Sequence, residues 1–124
     1  MGWPPSLGSP LPRAEEATGL HYKLSSYSLA KDHRKGNAKA RGFELILGIG
    51  REDIDYLASE IRRSILVEGI SSIRTNHPFG TICVVDCPIH GLAELKDRVA
   101  PVRTAWIYSS PSSPPRLTSA YVKP

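Results

Sequence analysis

The sequence predicts an α+β domain in which N-terminal helices pack on a four-stranded antiparallel β-meander. Apolar residues recur at helical spacing as far as Ile65, whereas from Ser72 onward they recur at every second position, as in strands. The helical patterns come first and the strand patterns follow, which is the order of an α+β fold. A chain of 124 residues is long enough for one domain with a substantial core.

The N-terminal residues 1–19 are expected to form a flexible, proline-rich leader before a single domain over 20–122. Four prolines stand among the first thirteen residues, with glycines and serines between them. Proline is disfavoured in helix interiors and central strands, so this stretch is predicted to lack regular structure. Its large aromatic residue, Trp3, either docks on the domain or is mobile.

The helices are predicted from N-caps, apolar stripes and glycine stops. After a short mixed segment over 22–30, Asn37 is a good N-cap for a helix over 38–47, because its side-chain oxygen accepts from first-turn amides. The clearest helix follows and ends near Gly69, since its apolar residues form one stripe while its charged residues face away. That stripe consists of Ile54, Leu57, Ala58, Ile61 and Ile65.

Four strands are predicted from alternating apolar and polar residues. A short turn over 77–80 joins the first two, a connection over 88–98 with one helical turn leads to the third, and a proline–serine loop over 109–115 leads to the last. Successive strands joined in this way form an antiparallel meander. The strands are expected at 72–76, 81–87, 99–108 and 116–122.

Several classes of protein and site are excluded by the sequence. No apolar run approaches the length of a membrane span, and no secretory signal is recognisable at the N-terminus. Cys83 and Cys87 are expected to be reduced and buried, because their spacing along a strand exceeds disulfide reach. Metal-binding motifs, phosphate loops and nucleophile elbows are absent from the sequence. We therefore predict neither a metal nor a cofactor.

The whole charge excess of the chain lies in residues 31–41. This segment holds five basic residues and one acidic residue, whereas the other 113 residues hold eleven of each. A histidine within the segment and a helix start at Asn37 make it a candidate site for a polyanion, and a solvated basic loop is the alternative. The expected nucleic-acid contacts are Lys31, Arg34, Lys35 and Arg41.

Lys39 and His33 are the candidate chemical groups of this basic segment. On a helical projection Lys39 falls on the buried side of a first turn, whose free amides favour an anion such as phosphate. The alternative is an ammonium group that reaches past the helix end to solvent. Neighbouring positive charges are expected to lower the pKa of His33, which leaves a neutral imidazole able to act as a general base.

The last two strands supply three further candidates. Arg103 alternates with small and apolar residues. If helices cover that face, its guanidinium must pair with a phosphate or with a carboxylate, Asp86 or Glu44. Thr118 and Tyr121 add two hydroxyls, but regular strand geometry places residues three apart on opposite faces. Only a bulge or a strand end would bring both hydroxyls to one site.

Several segments resemble a known family. The segments YKLSSYSL (22–29) and DHRKGNAKARGF (32–43) resemble the KLTxYLLxxxHPxGxxKARFF opening of small bacterial proteins catalogued as a domain of unknown function. Residues 102–106 and 115–121 resemble closing segments of the same family. Such domains look like the toxin domains of polymorphic secreted toxins or of toxin–antitoxin pairs, and are similar to the barnase–EndoU–colicin–RelE ribonuclease fold. Arg34 stands where the family often has proline, and Gly42 replaces a usual aromatic residue.

The resemblance implies a site on the sheet that is built from a histidine or lysine, an arginine, and a late threonine and tyrosine. It implies a metal-independent endoribonuclease of bacterial toxin type, which cleaves RNA through attack of the 2′-hydroxyl and leaves a 2′,3′-cyclic phosphate. The matching residues are His33, Lys39, Arg103, Thr118 and Tyr121.

RNA and a cognate antitoxin or immunity protein are the expected partners, and no membrane is expected. The expected site of action is the cytoplasm, reached directly or by delivery within a larger secreted toxin. Two alternatives to the enzyme stay open. The first is a non-catalytic module that binds RNA or an antitoxin through residues 31–41, and the second is a structural protein in which the basic loop is incidental.

Overall fold

The computed structural model describes residues 2–30 and 37–123 and has the predicted α+β architecture. Helices precede a four-stranded antiparallel sheet in which sequential strands are neighbours, so the sheet is the expected meander. The strands are β1 (Ile70–His77), β2 (Gly80–His90), β3 (Val99–Tyr108) and β4 (Arg116–Val122).

Three helices lie in the described part of the chain ahead of the sheet. Two of them continue as π-helical turns, over Leu24–Ser28 and over Phe43–Leu47. Gly48 ends the second, with a φ of 66° in the left-handed region that suits glycine. The helices are α1 (Leu20–Lys23), α2 (Asn37–Gly42) and α3 (Ile54–Ile65).

The core lies between the helices and one face of the sheet. The predicted stripe of α3 packs there, with Leu57, Ala58, Ile61 and Ile65 buried. The sheet contributes alternate residues of β2 and β3, among them the fully buried Trp106. Burial of these apolar faces is the main driving force for this packing.

The two cysteines are buried free thiols on the core face of β2, as predicted. Burial raises the pKa of Cys83 to about 11 and also raises that of Cys87. Both sulfurs are therefore protonated and unreactive at neutral pH.

Strand β2 is longer than the alternation predicts. Pairing with β3 runs from Thr81 opposite Tyr108 to His90 opposite Val99. The predicted connection over 88–98 is thus shortened, and its helical turn is a 3-10 turn at Ala93–Leu95. No helix in the described ranges is long and apolar enough to cross a membrane.

Residues 2–13 pack on the domain instead of forming the flexible leader that their composition suggests. The Trp3 ring meets the Tyr108 ring edge-on at 5.1 Å between centroids, and Trp3 Nε1 donates to Thr81 Oγ1 at 3.3 Å. The Gly8 amide donates to the Ile70 carbonyl, and the Ile70 amide donates to the Ser9 carbonyl, both at 2.9 Å. Proline excludes regular structure here, but it does not prevent an extended segment from finding apolar and hydrogen-bonding partners.

Candidate functional site

Three polar residues stand opposite one another on neighbouring strands. Asp86 on β2 pairs in register with Arg103 on β3, which pairs in register with Tyr121 on β4. They lie on the face of the sheet whose residues alternate with the buried core residues. Arg103 therefore does not lie on the core face of the sheet, which the helices cover.

Arg103 forms a bidentate ion pair with Asp86. Its Nε lies 2.9 Å from Oδ1 and its Nη2 lies 3.1 Å from Oδ2, while Lys123 Nζ lies 3.4 Å from Oδ2. The hydrogen bond to Asp86 raises the pKa of Arg103, and the reverse contact lowers the pKa of Asp86. Asp86 is the carboxylate partner that the sequence offered as one alternative for Arg103.

Lys39 reaches the same group of residues from helix α2. Ala40 on α2 and Phe43, the first residue of the π-helical turn that follows α2, are buried. The half-buried Lys39 places Nζ 5.7 Å from the centroid of the Tyr121 ring. This geometry agrees with the predicted inward-leaning lysine. A cavity of about 330 Å³ opens here, lined by Ala38, Lys39, Gly42, Tyr121 and Val122.

The charge of Lys39 is not balanced by a carboxylate among the residues that the structure describes. Burial lowers the pKa of Lys39, and the nearby positive charge of Lys23 lowers it further. Two ammonium groups that repel each other beside a cavity form a site where a bound anion relieves both burial and repulsion.

Lys23 is the functional candidate that sequence reasoning missed. Its Nζ lies 4.4 Å from the Tyr27 ring centroid and 5.8 Å from that of Tyr22, and the two rings meet edge-on at 6.3 Å. The signal was the spacing of a lysine and a tyrosine four residues apart, which places them on one face of a helix. Reading residues 22–30 as a mixed segment concealed that face.

Thr118 lies at a bulge in β4. Trp106 pairs with Leu117 and Ala105 pairs with Ser119, which makes Thr118 the extra residue. The bulge turns Thr118 toward the face that carries Tyr121. Its hydroxyl donates to the Ala105 carbonyl at 3.1 Å, and the residue lines a separate groove of about 510 Å³. The structure thus brings together Lys39, Arg103 and Tyr121 and places Thr118 in the neighbouring groove.

The candidates His33, Lys31, Arg34 and Lys35 lie outside the described residues, and Arg41 is exposed on α2. The described chain on either side of residues 31–36 reaches strand β4. Ser28 Oγ donates to the Ala120 carbonyl at 2.8 Å, and Lys39 contacts the Tyr121 ring.

The remaining histidines lie at the surface or in a turn. His21 Nε2 lies 2.9 Å from Asp55 Oδ1, and His77 Nδ1 accepts from the Phe79 amide at 3.1 Å within the β1–β2 turn. His90 is exposed at the end of β2. Within residues 2–30 and 37–123, no three His, Cys, Asp or Glu side chains are grouped so as to hold a metal ion.

Comparison with known proteins identifies one family. No curated protein and no solved structure matches the chain significantly. The model of one family, described as a domain of unknown function (DUF6883), matches residues 10–124. The chain therefore belongs to the DUF6883 family.

Proposed function

We propose that the protein is a metal-independent endoribonuclease of bacterial toxin type. The observation that carries the proposal is the convergence of Lys39, Tyr121 and Arg103 around one exposed edge of the sheet. These are three of the five residues that the family resemblance assigns to a ribonuclease site.

The electrostatics of this edge suit a phosphodiester. Its described basic side chains include Lys23, Lys39, Arg103 and Lys123, and Asp86 is the carboxylate that Arg103 and Lys123 contact. The pair with Asp86 uses two of the five N–H groups of the Arg103 guanidinium, so further donors can face a phosphate. Donors fixed in advance around the extra negative charge of a phosphorane are a principal source of rate enhancement.

In the proposed reaction His33 accepts the proton of a ribose 2′-hydroxyl, and the 2′-oxygen forms a bond to the adjacent phosphorus. The bond from phosphorus to the 5′-oxygen breaks, and that oxygen takes up a proton with help from Tyr121 or Thr118. The products are a 2′,3′-cyclic phosphate and a free 5′-hydroxyl. The assignment of His33 rests on the sequence, and the contacts of Ser28 and Lys39 with β4 support it.

Independence from metal belongs to the same proposal. The described site offers one carboxylate, and Arg103 and Lys123 already contact it. Nothing in this donor set resembles the several oxygen ligands that Mg²⁺ or Ca²⁺ requires. Cleavage is therefore expected to persist in EDTA.

The test incubates the purified chain with mixed RNAs, including tRNA, in EDTA. We expect the wild type and Lys96→Met to release fragments with 2′,3′-cyclic phosphate ends, because exposed Lys96 lies outside the site. His33→Ala and Lys39→Met are expected to lose this activity. Intact RNA from the wild type, across all of these substrates, would count against the proposal.

A second candidate is a binding module without catalytic activity. The bidentate Arg103–Asp86 pair favours it, because an arginine held in a structural ion pair has this geometry without taking part in catalysis. Under this alternative the basic edge holds RNA or an acidic antitoxin or immunity protein without breaking a bond. His33→Ala distinguishes the two. Binding should persist in both cases, whereas toxicity to an expressing cell should disappear only if the protein is an enzyme.

A further inference from the structure

The tyrosines beside Lys23 on the first helical segment have no role in the proposed cleavage reaction. They are Tyr22 and Tyr27, and Tyr22 is 63% exposed. The two rings meet edge-on, and the ammonium of Lys23 lies over the face of Tyr27. An exposed ring held in place by a neighbouring ring and a cation has already lost much of its rotational freedom.

The π-helical turn accounts for this contact between the two tyrosines. In a regular α-helix, residues five apart point in different directions. Here the Leu29 amide donates to the Leu24 carbonyl at 2.8 Å, a bond that spans five residues and carries Tyr27 back toward Tyr22.

The same turn is fixed beside the strand that carries Tyr121, which lines the cavity at Lys39. Ser28 Oγ donates to the carbonyl of Ala120, the residue before Tyr121. The Lys23–Tyr27 pair and the Lys39–Tyr121 pair therefore lie on neighbouring elements, each with an ammonium over a tyrosine ring. The repeated arrangement has the composition of a groove that binds single-stranded nucleic acid, with cations for the backbone and rings for the bases.

We infer that Tyr22, Lys23 and Tyr27 form a nucleotide subsite next to the cavity between Lys39 and Tyr121 and that the protein acts on single-stranded RNA. This inference rests on the proposed function and names its substrate class. Tyr22 offers its exposed ring to an unpaired base, and Lys23 meets the phosphate of that nucleotide. A base inside a duplex is stacked on both faces and cannot use the ring.

The test measures binding of fluorescent 2′-O-methyl RNA, which lacks the attacking hydroxyl and cannot be cut by the proposed reaction. One probe is single-stranded, and the other is a hairpin duplex of the same base composition. Tyr22→Leu removes the ring and keeps an apolar side chain. The matched control is Phe79→Leu, because Phe79 is 75% exposed in the β1–β2 turn. Thermal unfolding checks that both variants fold.

We expect Tyr22→Leu to weaken single-strand binding about five- to tenfold, as loss of one stacked base does, and to leave duplex binding unchanged. Phe79→Leu should change neither affinity. An equal loss for both probes, or no loss for either, would overturn the subsite.

Lys23→Met adds a further comparison, with polyglutamate as the probe for a protein-like polyanion. A selective loss of single-strand affinity supports the nucleotide subsite, whereas an equal loss of polyglutamate affinity indicates a site for acidic protein and overturns it. Wild type that binds the single strand without cutting RNA contradicts the proposed enzyme and supports the subsite. Wild type that cuts RNA while Tyr22→Leu binds normally contradicts the subsite alone.

Discussion

Polar side chains have different surroundings on the helix-covered face of the sheet and at its β4 edge. On the helix-covered face, Trp106 Nε1 donates to Thr104 Oγ1, and that hydroxyl donates to the Val85 carbonyl, both at 2.8 Å. At the β4 edge, Lys39 contacts the Tyr121 ring and meets no carboxylate in the part of the chain that the structure describes. The hydroxyl and indole of the buried network satisfy each other, whereas the ammonium of Lys39 is held near a second ammonium, that of Lys23. Substitutions in the two regions should therefore affect different properties.

The largest effect is expected in the core. Trp106→Ala removes a fully buried ring and leaves Thr104 without its donor, so the free energy of unfolding should fall by about 3–5 kcal/mol. Urea denaturation measures this change. Phe79→Ala is the control, because truncating an exposed aromatic should change stability by roughly 0.5 kcal/mol or less. Similar losses in both variants would contradict the described core.

Lys39→Met should reduce RNA cleavage without reducing stability, in contrast to Trp106→Ala. Loss of one donor to the transition-state charge is expected to reduce RNA cleavage about 10²- to 10³-fold. Stability should stay the same or rise slightly, because burial and Lys23 disfavour the charged form of Lys39 in the folded protein. Cleavage kinetics and urea denaturation of the same preparation check both statements. A marked loss of stability would place Lys39 among the structural residues.

The ion pair between Asp86 and Arg103 should show in the pH dependence of stability. The pKa of Asp86 is lowered in the folded state, so its contribution is present above its ordinary pKa of 3.8 and is lost as pH falls through the lower folded value. Because the pair is partly exposed, we expect the free energy of unfolding to fall by about 1 kcal/mol when Asp86 is protonated.

The Asp86→Asn variant serves as the control for this pH dependence. Its stability should already be lower at neutral pH and should change less on acidification than that of the wild type. Unfolding curves between neutral pH and pH 2 provide the measurement. Identical pH profiles of the two proteins would show that the ion pair does not contribute to the free energy of unfolding.

The smallest effect is expected at Gly42, which lines the cavity within a regular helical conformation. A Cβ there meets nothing within 4 Å, so Gly42→Ala should stabilise the protein by about 0.4–1 kcal/mol and leave cleavage unchanged. Gly42→Phe tests the cavity itself, because the larger ring should fill it and weaken RNA binding. Full binding by the Phe variant would show that RNA does not enter this cavity.

Elements whose signal is local were predictable from the sequence. The alternation over 99–108 and 116–122 gives the observed bounds of β3 and β4, and the apolar stripe ending at Ile65 identifies α3. In each case the pattern of burial repeats within a few residues, so no knowledge of distant partners is needed.

Features that depend on distant partners were not predictable in this way. Trp3 docks because Tyr108 and Thr81 lie beside it, and Thr118 forms a bulge because of its pairing with β3. Which face of the sheet carries Arg103 depends on where the helices pack. Among the site residues, the inward lean of Lys39 follows from its helical position, whereas the contact between Tyr22 and Tyr27 beside Lys23 depends on the π-helical turn.

The alignment of Asp86, Arg103 and Tyr121 across three strands has a consequence for folding. Neighbouring residues of a strand point to opposite sides, so a slip of one position between strands would turn Arg103 or Asp86 into the apolar interior. An unpaired ionised group there is strongly unfavourable. The row of polar residues therefore also disfavours any other register of the sheet. When the strands pair in the correct register, the row forms in the same step.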